Sequence, residues 1–363
     1  MDTSYHIVDS FHAGNGYSTD IHELLLTNDG HALLMSYDPQ TVDLSAIVPG
    51  GYPTATVIGL IVQELDAGKN VVFEWRSWDH FLITDTQVSL TTPFVDYVHG
   101  NAIEIDNDGN LLISSRHLSE ITKIDRQTGD IIWRLGGKNN QFSFVNDAAP
   151  YFHYQHDIRR LANGRISLFD NRNDLMPLYS RATEYQIDEV GKVVTRTWEY
   201  RNTPDNYSPA MGDAQRLSNG NTMIGWGTFP ELTEARADGT KAFEMVYGGS
   251  MMSYRAFRFV WHGYPTTPPL VTKFKDLSGI MLFFSWNGAT EIASYKLYGG
   301  NSPSPTGLIT TVLRSGFETP YAVPPDSTDC IYRVLPVDGL SNDTQYSNDI
   351  NICNIYYFPL ISR

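Results

Sequence analysis

The stretch His99-Gly-Asn-Ala-Ile-Glu-Ile105, Asn107-Asp-Gly109, Leu111-Leu-Ile-Ser-Ser115, followed by residues 121–125, Gln127-Thr-Gly-Asp130 and residues 131–135, decides the fold. Its apolar residues alternate in short runs, and Asn, Asp and Gly punctuate them at turn positions. Four antiparallel strands in roughly 37 residues make a meander. The same pattern returns from 22 (Asp29-Gly30, an inserted loop at 38–55, Asp66-Ala-Gly68), from 156 (Asn163-Gly164, Glu189-Val-Gly191) and from 212 (Asn219-Gly220, Asp238-Gly239). Trp75, Trp133, Trp198 and Tyr247 recur at the last strand of each unit and suit packing between neighbouring units.

Repeated four-stranded meanders predict an all-β protein, a β-propeller with its blades around a central channel. Partial units at 5–11 and 254–262 lead to an expected six blades over residues 1–264, with one blade under-represented and an N-terminus that starts inside a blade. Pro265-Thr-Thr-Pro-Pro269 reads as a linker. Residues 270–354, with short strands, Trp286 and the Tyr332-Arg-Val334 alternation, fit a small β-sandwich that resembles a fibronectin type III module. Residues 355–363 form an apolar and aromatic tail.

Composition narrows the function. With 26 basic and 41 acidic residues the net charge is −15, a field that repels nucleic acid and anionic membranes. No apolar run reaches the roughly 18 residues of a membrane helix, and residues 1–5 carry no signal-peptide pattern. Cys330 and Cys353 can be one disulfide or two buried thiols.

Aligning Gly30, Gly109, Gly164 and Gly220 puts His22, Asn101, His156 and Gly212 eight residues earlier and Tyr37, Arg116, Asn171 and Gly227 seven residues later. The first strand of a propeller blade is innermost, so the earlier set forms a ring around the axis, and each hairpin returns the later set to the same mouth. His99 lies on the side of Asn101 by two-residue alternation. His22, His99, Asn101, Arg116 and His156, with Tyr37 and Asn171, are therefore expected to converge. His6, His12, His31, His80, His117, His153 and His262 lack this register and read as structural or solvated. Arg159, Arg160, Arg255 and Arg258 are weaker candidates, although Arg255 starts what could be another inner strand. Arg, Asn and His together suit a tetrahedral oxyanion, with an imidazole as nucleophile, acid or base. No Gly-rich phosphate loop or serine elbow is present.

The strings Asp20-Ile-His-Glu23, His99-Gly-Asn101, Leu112-Ile-Ser-Ser-Arg116, Ile131-Ile-Trp-Arg-Leu-Gly-Gly137, Gln155-His-Asp157 and Leu168-Phe-Asp-Asn171 resemble the arylsulfotransferase family over about 20–262. The resemblance implies a six-bladed propeller that moves a sulfuryl group from an aryl sulfate to a phenol through a sulfated histidine, without a nucleotide donor or other cofactor. It makes His156 the nucleophile, places His99, Asn101 and Arg116 on the sulfuryl oxygens, and gives His22 an assisting role. With the C-terminal module it implies an extracellular, cell-surface or periplasmic location. Two other readings remain open from the residues: a non-catalytic binding propeller, and a histidine-ligated metalloenzyme, which Arg116 in the same cluster argues against.

Overall fold

The structure, a computed structural model, describes residues 1–340, 342 and 344–353; the expected tail at 355–363 lies outside the described residues. The chain divides into two compact units, residues 11–258 and residues 1–10 with 259–363. Apart from three single-turn 3-10 segments, the described elements are strands.

The larger unit contains four blade-like sheets in chain order. The first joins β1 (Thr19–Leu26), β2 (Ala32–Val42), β3 (Ala55–Leu65) and β4 (Val71–Arg76), and β5 (Phe94–Asp96) adds to β3 in parallel. The second is β6 (Gly100–Ile105), β7 (Leu111–Ser115), β8 (Glu120–Ile124) and β9 (Ile131–Gly136). Next comes β10 (Ser143–Val145), which runs parallel to β14 at the edge of β11 (His156–Arg160), β12 (Ile166–Asp170), β13 (Arg181–Asp188) and β14 (Val193–Tyr200). The fourth is β15 (Asp213–Arg216), β16 (Thr222–Gly225), β17 (Glu231–Ala235) and β18 (Lys241–Val246).

One turn builds the first hairpin of every blade. The N–H of Gly30, Gly109, Gly164 and Gly220 donates to the carbonyl three residues earlier, and each glycine sits at φ between +83° and +86°. At Gly109 a Cβ would meet nothing within 4 Å, so the demand for glycine is conformational and not one of space. This shared turn sets the register that carries His22, Asn101, His156 and Gly212 to equivalent places.

Apolar residues from facing sheets fill the seams between successive blades. Trp75 is buried there, and its indole N–H donates across to the Gly129 carbonyl of the second blade (3.1 Å). The innermost strands β1, β6, β11 and β15 lie side by side. Acidic side chains tie them: Glu23 accepts the Ile103 N–H (3.4 Å), Asp157 that of Ala214 (3.2 Å) and Asp213 that of Ala256 (2.8 Å).

The ends of the repeat differ from the sequence expectation. Residues 5–11 and 254–262 form no strand; the first ten residues pack with the C-terminal unit, where the Tyr5 hydroxyl donates to Gly288 O (2.6 Å). Residues 254–258 instead follow β15 through side chains, Gln215 pairing with the Arg258 backbone at 2.7 and 3.2 Å. The inserted loop is also shorter than 38–55, because β2 and β3 stay paired as far as Val42 and Ala55.

In the smaller unit two sheets enclose one core that includes Trp286, Tyr295 and Tyr332. One sheet is β19 (Leu270–Asp276), β20 (Gly279–Ser285) and β23 (Thr319–Val323); the other is β21 (Ile292–Gly300), β22 (Gly307–Leu313), β24 (Ile331–Asp338) and β25 (Ile350–Asn351). Cys330 and Cys353 are disulfide-bonded across a separation of 23 residues. A closed loop of that size restrains the unfolded chain by about 3 kcal/mol. Replacing both cysteines by serine is expected to destabilise this unit by about that amount, read as an earlier thermal transition of the C-terminal unit that reductant no longer shifts.

Candidate active site

Three blades converge on one cluster. His22 comes from β1, His99 from the turn before β6, and His156 from the start of β11. His22 and His99 are in edge contact with ring centroids 5.0 Å apart. Arg116 and His117 follow β7, and Asn171 follows β12, so each hairpin returns its polar residue to the mouth as the register predicts.

His156 is 3% exposed. Its Nδ1 meets the Asn171 Oδ1 at 2.7 Å, while the Asn171 amide nitrogen donates to the carbonyls of Ser208 (2.8 Å) and Met211 (2.9 Å). Those two bonds fix which end of the amide is oxygen, so Nδ1 must carry the hydrogen it gives to Asn171. The lone pair is then on Nε2, which accepts the Met211 N–H at 3.3 Å. Burial, with Arg116 and the two other histidines nearby, holds the imidazole well below its ordinary pKa, although the Asn171 bond opposes this. His156 is a neutral imidazole with a defined tautomer, as a nitrogen nucleophile requires.

His22 and His99 each have a carboxylate behind them. The Nδ1 of His22 bonds Asp20 (2.5 Å), and that of His99 bonds Asp96 (2.6 Å). Both rings therefore present Nε2 as the free nitrogen. Asp96 ends β5, and neither it nor Asp20 was among the sequence candidates; Asp20 stands two residues before His22, on the same strand face, which was the available signal.

His117 also corrects the sequence reading, which left it as structural or solvated. It packs on His99 (centroids 4.7 Å), its Nδ1 donates to the Asp96 carbonyl (2.5 Å), and its Nε2 accepts from Arg116 Nη1 (2.6 Å). Strand alternation would point it away from Arg116, but β7 ends at Ser115 and the alternation ends with it. Burial and the neighbouring His99 push its pKa down to about 4.

Arg116 differs from the other arginines around the axis. Arg159 binds the carboxylates of Glu23 and Asp157 at 2.8 Å, and Arg255 binds the same two at 2.9 and 3.2 Å. Arg116 makes none of the ion pairs found among the described residues: it lies over the Tyr154 ring (4.7 Å), donates to Pro209 O (2.9 Å), and its buried Nε has no acceptor. Burial lowers its pKa from the ordinary value. A half-buried guanidinium without a carboxylate among the described residues is a receptor for an incoming anion.

Asn101 and Tyr37 serve the frame. Asn101 is fully buried and donates to the Gln155 carbonyl (2.8 Å), which braces the strand immediately before His156, while its Oδ1 has no donor. It therefore braces the seam between blades two and three. Asn171, expected at the substrate, holds His156 instead. Tyr37 and Tyr254 flank His22 at 6.4 and 5.4 Å and donate their hydroxyls to Gly100 O and Asn101 O. Tyr254 joins the ring because residues 254–258 follow β15, the inner-strand position considered for Arg255.

Asp96, His99 and His117 place three potential metal-ligand atoms within 4.8 Å of one another. Both nitrogens of His117 are engaged, one by a guanidinium, so a divalent cation would have to displace Arg116. Two roomy clefts, about 490 Å³ beside Met223 and Phe243 and about 650 Å³ beside Arg172 and Tyr179, are not lined by the site histidines.

A model of the arylsulfotransferase (ASST) family matches residues 6–248. This chain belongs to that family. The match spans the four blades and every residue of the cluster except Tyr254. No curated protein sequence matches the chain. Similar solved structures include a protein of unknown function from Bacteroides caccae, 12% identical over 80% of this chain and 90% of that one, with a TM-score of 0.33. Another is virginiamycin B lyase from Staphylococcus aureus, 12% identical over 91% and 83%, with a TM-score of 0.33. No helix among the described residues is long and apolar enough to cross a membrane.

Proposed function

We propose that the chain transfers a sulfuryl group from an aryl sulfate to a phenolic acceptor in two steps, through a sulfohistidine at His156. The observation that carries this reading is the Asn171-fixed tautomer of His156, which leaves an uncharged Nε2 lone pair beside a guanidinium that has no carboxylate partner. Family membership supplies the substrate class.

In the first step Nε2 attacks sulfur in line with the departing phenolate, and Arg116 takes charge on the sulfuryl oxygens. The Met211 N–H occupies that lone pair in the resting structure and must withdraw. Arg116 also holds Pro209 of the same loop, so its transfer to the substrate frees the segment that caps the nucleophile. In the second step an acceptor phenol takes the group back. Arg116→Met is expected to lower kcat/KM by about 10²–10³-fold, as loss of a preorganised donor to developing oxyanion charge does, measured as release of 4-nitrophenolate. Arg116→Lys recovers only part of it, since a point charge does not reproduce the planar fork.

The same reading takes the four blades, with residues 254–258 as a fifth innermost segment, to belong to a six-bladed ring, and residues 270–354 to be a fibronectin type III-like module. The Cys330–Cys353 bridge favours an oxidising compartment, extracellular or periplasmic. The test is incubation with 4-nitrophenyl sulfate with and without a phenol. Phenol-stimulated release supports transfer; release indifferent to phenol indicates hydrolysis; none from folded protein leaves a binding propeller.

A further inference from the structure

The cluster contains two histidine–carboxylate pairs, and they face different surroundings. Asp20 and His22 lie on one face of β1, with Asp20 Oδ1 accepting both the His22 backbone N–H (2.8 Å) and its Nδ1–H (2.5 Å). Asp96 holds His99 in the same two ways, at 3.1 and 2.6 Å. Hydrogen bonding, chiefly to His22, keeps Asp20 below the usual carboxylate range despite burial, so it accepts and Nδ1 donates. Beyond His99, His22 is in edge contact with two phenol rings, Tyr37 and Tyr254, whose hydroxyls are committed to backbone carbonyls; Tyr37 also stacks on His99 at 6.4 Å, so Tyr254 is the ring that sets His22 apart. What those tyrosines offer a ligand is aromatic surface. His99 has His117 on its other flank, and behind His117 stands Arg116. Both pairs adjoin Tyr37, but Tyr254 closes the aromatic wall on the His22 side and His117 with Arg116 the cationic wall on the His99 side.

We propose that Asp20 is a positioning residue that sets His22 as the acid–base group at the phenolic oxygen, in an aryl subsite walled by Tyr37 and Tyr254, while Asp96 sets His99 against the sulfuryl oxygens. This rests on the sulfuryl-transfer reading. In the first step the His156 Nε2 lone pair forms the N–S bond as the S–O(aryl) bond breaks. Its electron pair goes to the phenolic oxygen, which takes the proton from His22 Nε2. In the second step the acceptor phenol returns a proton to His22, its oxygen forms the new S–O bond, and the N–S pair goes back to His156. Asp20 stabilises the imidazolium form of His22 and keeps Nε2 aimed at the oxygen.

General-acid assistance matters most for a poor leaving group, whereas holding the sulfuryl oxygens matters equally for all. The experiment compares wild type, Asp20→Asn and Asp96→Asn on 4-nitrophenyl, phenyl and 4-methylphenyl sulfates, reading kcat/KM, with thermal unfolding to verify the fold. Asp20→Asn is expected to lose about 100-fold on phenyl and 4-methylphenyl sulfates and only a few-fold on 4-nitrophenyl sulfate. Asp96→Asn is expected to lose the same factor on all three. A uniform loss in Asp20→Asn, no loss on phenyl sulfate, or a graded loss in Asp96→Asn instead would overturn the assignment. Should Asp20→Asn fail to fold, His22→Gln must reproduce the graded loss. Wild-type protein silent toward every aryl sulfate would remove the transfer reading and this assignment with it. An active wild type with ungraded variants removes the assignment alone.

Discussion

His156→Ala is expected to lower aryl-sulfate-dependent transfer by at least about 10⁴-fold in kcat/KM, because removing the nucleophile removes the covalent route itself. The remaining groups can still bind and polarise an aryl sulfate, but of the cluster's histidines His156 is the one whose Nδ1–H is held by a side-chain amide. His22 and His99 have carboxylates at Nδ1, and both nitrogens of His117 are bonded. The measurement is release of 4-nitrophenolate together with the mass of the intact protein after brief exposure to donor. Wild type should carry one sulfo group that an added phenol removes, and the variant none. A variant that keeps a tenth of the activity would exclude His156 as the nucleophile.

The second large effect belongs to Asn171. Asn171→Leu removes the acceptor for Nδ1–H, takes the amide donor from the Met211 carbonyl and leaves the Ser208 carbonyl to the Ser180 hydroxyl. The ring can then adopt the other tautomer, with hydrogen on the attacking nitrogen, and a loss of about 10²–10³-fold is expected. Asn171→Asp separates tautomer control from mere packing. Its carboxylate still accepts from Nδ1, but it favours the imidazolium and so raises the His156 pKa from its depressed position. That variant should be active at high pH and lose activity as pH falls through the raised pKa, whereas Asn171→Leu is impaired at every pH. Equal loss in both variants without any pH dependence would mean that Asn171 only packs.

The convergence of His22, His99, Arg116, His156 and Asn171 could be read because one glycine turn recurs four times, and a shared turn fixes how far each polar residue stands from the innermost strand. His117 was missed because it lies two residues beyond the end of a regular strand, where alternation no longer says which way a side chain points. Asp96 was missed for a related reason: β5 has three residues and pairs in parallel with a strand far from it in sequence, too short for any period to show. Asn101 and Asn171 stand where the register puts them, but their hydrogen-bond partners were not legible. Register gives position, but an amide's role depends on which carbonyls come within reach, and those of Gln155, Ser208 and Met211 arrive from the next blade or from the segment between β14 and β15.

By itself the sequence determined the all-β repeat, the glycine-set hairpins and the set of residues at the mouth, since turn chemistry and strand alternation are local properties. Tertiary structure alone decided the tautomer of His156, the lack of a carboxylate partner for Arg116 among the described residues, and the different neighbours of the two histidine–aspartate pairs, Tyr254 for one and His117 for the other. Each of those depends on which atoms from separate parts of the chain come within hydrogen-bond or ring-contact distance, which spacing along one chain does not encode.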